Sequence, residues 1–268
     1  FVLKKLQSDN IADFSNLDAA KKVMIRTADL MVIRDPYVIL GLVVMAVFVL
    51  IVVSKMPQAK DDGEMAPLSA TFSSLFQNKN YRNGVISQIL YVGAQIMCWT
   101  YIYQYAEAIG ISSENAANYQ FICFVLFLIG RAIGTYMLRF INSGKLLFQF
   151  SILAGLCALT TVFVDGIIGL YALVGISFFM SLMFPTIYGI ALEDLDEKES
   201  KIGAAGLVMA IVGGALMPKL QGMIIDLGGN GVDDIQIMGV TEVNFSFLLP
   251  LLCFLFIAYF GRNVANQV

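Results

Sequence analysis

The stretch 84–109, GVISQILYVGAQIMCWTYIYQYAEAI, decides how the chain is read. It is long and apolar enough to cross a bilayer as a helix, because the hydrocarbon core takes about 20 mostly apolar residues and leaves the backbone no partner but itself. Yet Gln88, Tyr91, Gln95, Trp99 and Tyr103 recur in it at spacings of three and four. Such spacing puts them on one helical face. A glutamine amide turned toward lipid would lack a partner at high cost, so this face looks toward other helices or a water-filled cavity. Hydrogen bonding across a packed seam is one reading. A ligand wall is the other, and Trp and Tyr beside the amides favour it. Flat aromatic plates with a few amides match a sugar ring, which has apolar C–H faces and a rim of hydroxyls.

Working outward, the whole chain is of the same kind. Of its 268 residues, 58% are hydrophobic and 14% charged, and its mean hydropathy is +0.77. A soluble domain is nearer a quarter charged, so the composition is that of a membrane protein. The net charge of −3 carries no basic footprint for nucleic acid. Histidine is absent, which removes the commonest zinc ligand and the usual neutral-pH general base. Cys98, Cys123, Cys157 and Cys253 each lie in an apolar run without CxxC spacing, so they read as small buried hydrophobes rather than a disulfide framework or metal site. No cofactor is called for. The opening FVLKKLQSDN has neither a methionine nor a signal-peptide pattern, and position 1 is read as an internal point of a longer polypeptide.

Seven runs qualify as spans: 37–55, 84–109, 115–138, 145–164, 167–192, 203–227 and 244–260. The first is expected to start with Asp35 as N-cap and Pro36 at the first helical position. Residues 1–35 are polar, part of 15–34 being able to form an amphipathic helix, and 56–80 form a second polar stretch with Pro57, Pro67 and the acidic run DDGE at 61–64. It reads as a flexible linker. Lys55, Lys60, Lys79 and Arg82 place that linker in the cytoplasm, and Arg139 and Lys145 mark a second inner loop. GISSEN at 110–115, Asp165, Asp226, Asp233, Asp234 and Glu242 then fall outside. The six basic residues of 1–35 run against this orientation. One span, a long cytoplasmic linker and six tightly joined spans fit the second half of a two-bundle transporter. A seven-helix receptor or sensor is the alternative, but its first span should not be followed by so long a linker.

The other spans carry polar signals too. Ser177, Ser181, Phe184 and Tyr188 follow spacings of four, three and four, and Pro185 should kink or loosen that helix. Arg131 lies within 115–138 in the segment Gly130, Arg131, Gly134, Thr135. A buried arginine needs a carbonyl or carboxylate partner unless it snorkels, and the glycines allow close helix approach. Gly130, Arg131, Gly134 and Pro185 are therefore read as structural or gating residues. No Asp or Glu sits at mid-span in 84–260, so no residue here can carry a proton across the membrane.

YVGAQxxCWxY at 91–101, AANY at 116–119, IGRxxGT at 129–135 and FMSxxFPTIYG at 179–189 closely resemble the C-terminal half of the fucose–proton symporter family of the major facilitator superfamily, whose relatives carry glucose and galactose. The resemblance runs from about 36 to 262. It implies an all-α, polytopic transporter of the inner (plasma) membrane, with twelve helices working by alternating access. In that frame 1–35 is an extracytoplasmic loop, 36–55 the sixth helix, 56–83 the cytoplasmic central linker, 84–262 the six-helix C-terminal domain and 263–268 a cytoplasmic tail. The partners are then a sugar, a proton, the bilayer and the N-terminal half, which would hold the acidic residues that couple proton to sugar. The resemblance puts the cavity wall on Gln95, Trp99, Phe127 and Phe184; helical spacing adds Tyr103 and Tyr188. Phe184 stands where the family pattern has tyrosine, one hydroxyl fewer for a sugar.

Overall fold

The computed structural model describes residues 18–54, 68–229, 231 and 235–266. The chain divides into two units, 1–64 and 65–268, each described by itself. The expectations for 1–17, 55–67, Asp233, Asp234 and the last two residues of the tail lie outside the described residues.

Among the described residues the first unit holds one helix, α1 (Ala19–Val53), with Pro36 inside it. This corrects the expected start at Asp35 and the reading of all of 1–35 as a loop. Pro36 withholds one N–H, which a long helix tolerates when its other bonds are kept. Asp35 is engaged elsewhere: Arg34 Nε and Nη2 donate to its Oδ1 at 3.1 and 2.8 Å. Helix formers such as Ala, Lys, Met and Leu carry the polar first half. From Tyr37 to Val53 large exposed apolar side chains follow one another around the helix. A helix apolar on all sides is built for lipid.

The second unit begins with α2 (Leu68–Gln77) and α3 (Lys79–Thr100). The linker expected over 56–83 is therefore helical from Leu68, another correction. Burial supports it: Leu75 joins Tyr81, Ala191 and Leu207 in a small apolar cluster, and Tyr81 donates its hydroxyl to the Gly203 carbonyl at 3.1 Å. Asn78 caps α3, its side-chain oxygen accepting from the N–H groups of Asn80 and Tyr81. After α3 come α4 (Ile102–Ala108), α5 (Ser113–Met137), α6 (Ser143–Phe163), α7 (Ile167–Met180), α8 (Met183–Leu192), α9 (Glu197–Met209), α10 (Gly213–Ile225), α11 (Glu242–Ser246) and α12 (Leu248–Ala265). A two-stranded hairpin, β1 (Gln236–Ile237) with β2 (Val240–Thr241), turns at Met238 and Gly239, both with positive φ.

The six spans expected after the linker all have counterparts. α5 and α6 qualify singly; α7 with α8, α9 with α10, and α11 with α12 each make one apolar run, while α3 and α4 make one bent by 40°. α3 packs against α7, α8, α10 and α12 and so sits at the centre of the bundle. Its seam with α10 is tightest at Gly213, where an added Cβ would overlap the backbone of Ile89. At one end of the bundle Tyr105 donates to the Val164 and Gly166 carbonyls. There Asn244 also donates to Asp165 Oδ1 at 2.7 Å. Glu242 is fully buried and accepts from the Gly228 N–H at 3.1 Å.

Two glycines separate packing from mere flexibility. Gly213→Ala forces the α3–α10 seam apart and costs about 1–3 kcal/mol. Gly189→Ala, where a Cβ meets open space, gains up to about 1 kcal/mol of helix propensity. Melting temperatures of the purified full-length protein should fall for the first and hold or rise for the second.

Candidate functional site

The polar stripe of α3 divides. Gln88 and Tyr91 are fully buried, and neither the Gln88 amide nor the Tyr91 hydroxyl has a hydrogen-bond partner among the described residues. Gln95, Trp99 and Tyr103 are only half-buried. The first turn of the stripe thus lies inside the bundle, and the rest reaches a partly exposed face.

Trp99 organises that face. Its Nε1–H donates to Ser177 Oγ at 3.2 Å, which fixes the indole against α7. Phe127 and Phe124 of α5 meet the indole edge-on, with centroids 5.3 and 5.1 Å away. Such T-shaped pairs are favoured by the ring quadrupole. Phe124 escaped the sequence reading, although it lies three residues before Phe127 and therefore on the same face.

Arg131 continues the chain of contacts. Its guanidinium carbon lies 5.5 Å from the centroid of Phe127, and its Nε and Nη2 both donate to the Ser181 carbonyl, at 3.1 and 3.0 Å. The expected carbonyl partner is thus found. Ser177 and Ser181 are four residues apart at the end of α7, so Trp99 of α3 and Phe127 and Arg131 of α5 are all tied to this one stretch: Trp99 to Ser177, Arg131 to Ser181, and Phe127 to both Trp99 and Arg131. Gly130 makes the close approach possible, since a Cβ there would run into the Phe178 carbonyl and come within 2.7 Å of Ser181 Oγ. Gly134 lies against Leu182 in the same seam.

The second stripe is interrupted. α7 ends at Met180 and α8 starts at Met183, so Ser177, Ser181, Phe184 and Tyr188 do not share one unbroken face. Phe184 meets Tyr91 edge-on at 6.1 Å. Tyr188 packs instead against the cluster of Leu75, Tyr81, Ala191 and Leu207, apart from Trp99 and Phe127. Pro185, the third residue of α8, is exposed and lines a cavity of about 300 Å³ with Ser143, Thr186, Gly189 and Glu193. The structure therefore brings together Trp99, Phe127, Arg131, Gly130 and the Ser177–Ser181 turn. Gln95 is one turn of α3 from Trp99 and makes no hydrogen bond among the described residues. The partly exposed face thus carries the rings of Trp99 and Phe127, the Gln95 amide and the Tyr103 hydroxyl.

Comparison with known proteins supplies the class. No family model matches the chain. It is 49% identical over 267 residues to the L-fucose-proton symporter of Haemophilus influenzae, covering 97% of this chain and 60% of that protein. The Escherichia coli L-fucose-proton symporter is 33% identical over 236 residues, 86% of this chain and 51% of the relative. The outward-conformation crystal structure of the major facilitator superfamily transporter FucP superposes with a TM-score of 0.78 at 29% identity, over 98% of this chain and 62% of that one. The chain thus spans about 60% of the length of the Haemophilus relative. Its fold is the all-α, multi-pass membrane fold of the major facilitator superfamily. Within it, the chain is related to the fucose–proton symporters and corresponds to their C-terminal part. These relatives are transporters, which gives the receptor reading no support.

The Trp99–Ser177 bond can be isolated by a double-mutant cycle. Ser177→Ala should cost about 1 kcal/mol in the parent and close to nothing once Trp99→Phe has removed the N–H. Denaturation of the purified full-length protein measures both legs.

Proposed function

We propose that this chain forms the C-terminal part of a proton-coupled sugar symporter, carrying L-fucose or a related hexose by alternating access. The observation that carries this reading is the half-buried wall of Trp99, Phe127 and Gln95, neutral throughout and open on one side, together with relatives described as L-fucose-proton symporters and glucose/galactose transporters. Trp99 and Phe127 supply apolar plates for the C–H face of a pyranose. Gln95 and Tyr103 supply a free amide and hydroxyl for its rim. Phe184 closes the wall next to Tyr91. Tyr188, packed on the cluster of Leu75, Tyr81, Ala191 and Leu207, acts on the helix end rather than on the sugar.

The proton is handled elsewhere. Within the second unit Glu107, Glu114, Asp165, Glu193 and Glu242 stand at helix ends or in connecting loops, and this reading assigns the carboxylates that couple proton to sugar to the N-terminal half of the transporter. In the same reading the apolar half of α1, from Pro36, is the sixth span, 56–83 the cytoplasmic connection, and 84–262 the second six-helix domain. Arg131, Gly130, Gly134 and Pro185 shape the domain without touching sugar.

Uptake of radiolabelled fucose, galactose and glucose into vesicles bearing the full-length protein, under an inward proton gradient, tests the proposal. At least one sugar should accumulate, and collapse of the gradient should abolish accumulation; no uptake of any sugar would sink the reading. Trp99→Ala and Gln95→Ala should each weaken sugar binding roughly tenfold, the equivalent of about 1.4 kcal/mol, with expression intact.

A further inference from the structure

Pro185 has no N–H, so the carbonyl four residues before it, that of Ser181, cannot be satisfied by the helix. Inside a bilayer an unpaired carbonyl is costly. Among the described residues no backbone N–H donates to Ser181 O; the two bonds it receives come from Arg131. The neighbouring carbonyl, that of Phe178, is occupied by the Ser181 N–H and by Ser181 Oγ. We infer that Arg131 is a positioning residue for the sugar wall: it stands in for the backbone donor that Pro185 lacks, and so holds the α7–α8 break open against Trp99 and Phe127.

The guanidinium suits this task. Its planar fork puts two N–H groups on one oxygen, and its delocalised charge lies near the Phe127 ring face at a smaller hydration penalty than an ammonium. The reach depends on Gly130, which lets α5 lie against the turn at Phe178. Arginine, glycine and proline, on two different helices, thus form a single device. The set of contacts that carries the aromatic plates reaches the helix break, so whatever moves α8 relative to α7 is felt at Phe127 through Arg131.

The inference rests on the transport reading only for the purpose of the wall; the bonding itself is tested without sugar. Four forms of the full-length protein are compared by denaturation in detergent: the parent, Arg131→Met, Pro185→Ala and the double variant. Arg131→Met should lower the folded-to-unfolded ratio by at least about tenfold, the scale of a charged hydrogen bond lost at a buried acceptor. Pro185→Ala restores an N–H at the right spacing, so Arg131→Met in that background should cost several-fold less. If Arg131→Met alone yields no folded protein, accumulation regained with Pro185→Ala carries the same message. An equal loss in both backgrounds overturns the inference, because lost packing on Phe127 would not be repaired by a backbone N–H on another helix. Sugar binding by the four forms gives the functional leg: affinity lost in Arg131→Met and largely regained in the double variant supports a role at the wall, and affinity unchanged in Arg131→Met denies it. A parent that moves no sugar would refute the transport reading while leaving the denaturation cycle intact.

Discussion

The carbonyl of Ser181 must be satisfied inside the membrane, and Pro185 withholds the N–H that would do so. That one constraint accounts for much of the neighbourhood. It calls for a donor from another helix, which Arg131 provides through two bonds. The donor has to come close, and Gly130 allows that by presenting no side chain to the Phe178 carbonyl. Once Arg131 is held, Phe127 lies beside its guanidinium, and Trp99 is fixed between Phe127 and Ser177. A backbone defect in one helix therefore sets the position of aromatic side chains on two others.

The centre of the bundle works by a different means. α3 has neighbours on several sides, and its seam with α10 relies on glycines: Gly213 lies against the Ile89 backbone, and Gly93 and Gly214 against side chains of the facing helix. Lipid gives helices no hydrophobic reason to associate, so close contact and hydrogen bonding must do the work. This explains why a central, largely buried helix can still present Gln95, Trp99 and Tyr103 on a face that is only half-buried. The rigid seam leaves that face available for a ligand.

Much of this was legible in the sequence. The spacing of Gln88 to Tyr103 announced an inward face, the apolar runs marked the spans, and Arg131 announced its need for a carbonyl. What was not legible depended on other elements. The burial of Leu75 beside Ala191 and Leu207, residues distant in sequence, supports the helix over 68–77. Asp35 looked like an N-cap because Pro36 follows it, but α1 runs through both, and Asp35 pairs with Arg34. Tyr188 shares a helical spacing with Phe184 yet leaves the aromatic group, packing against the cluster that holds Leu75, Tyr81, Ala191 and Leu207. Which of two polar residues on one stripe is sealed and which is open, as with Gln88 and Gln95, is a property of neighbours and not of period.

The division of that stripe is also where the account is most exposed. In a cysteine-free form of the full-length transporter, Gln95→Cys and Gln88→Cys can be labelled with a membrane-impermeant maleimide, with and without sugar. The account predicts that Gln95→Cys reacts and that a transported sugar slows the reaction, while Gln88→Cys stays unlabelled in both conditions. Equal labelling at the two positions, or labelling at Gln95→Cys that no transported sugar slows, would contradict it.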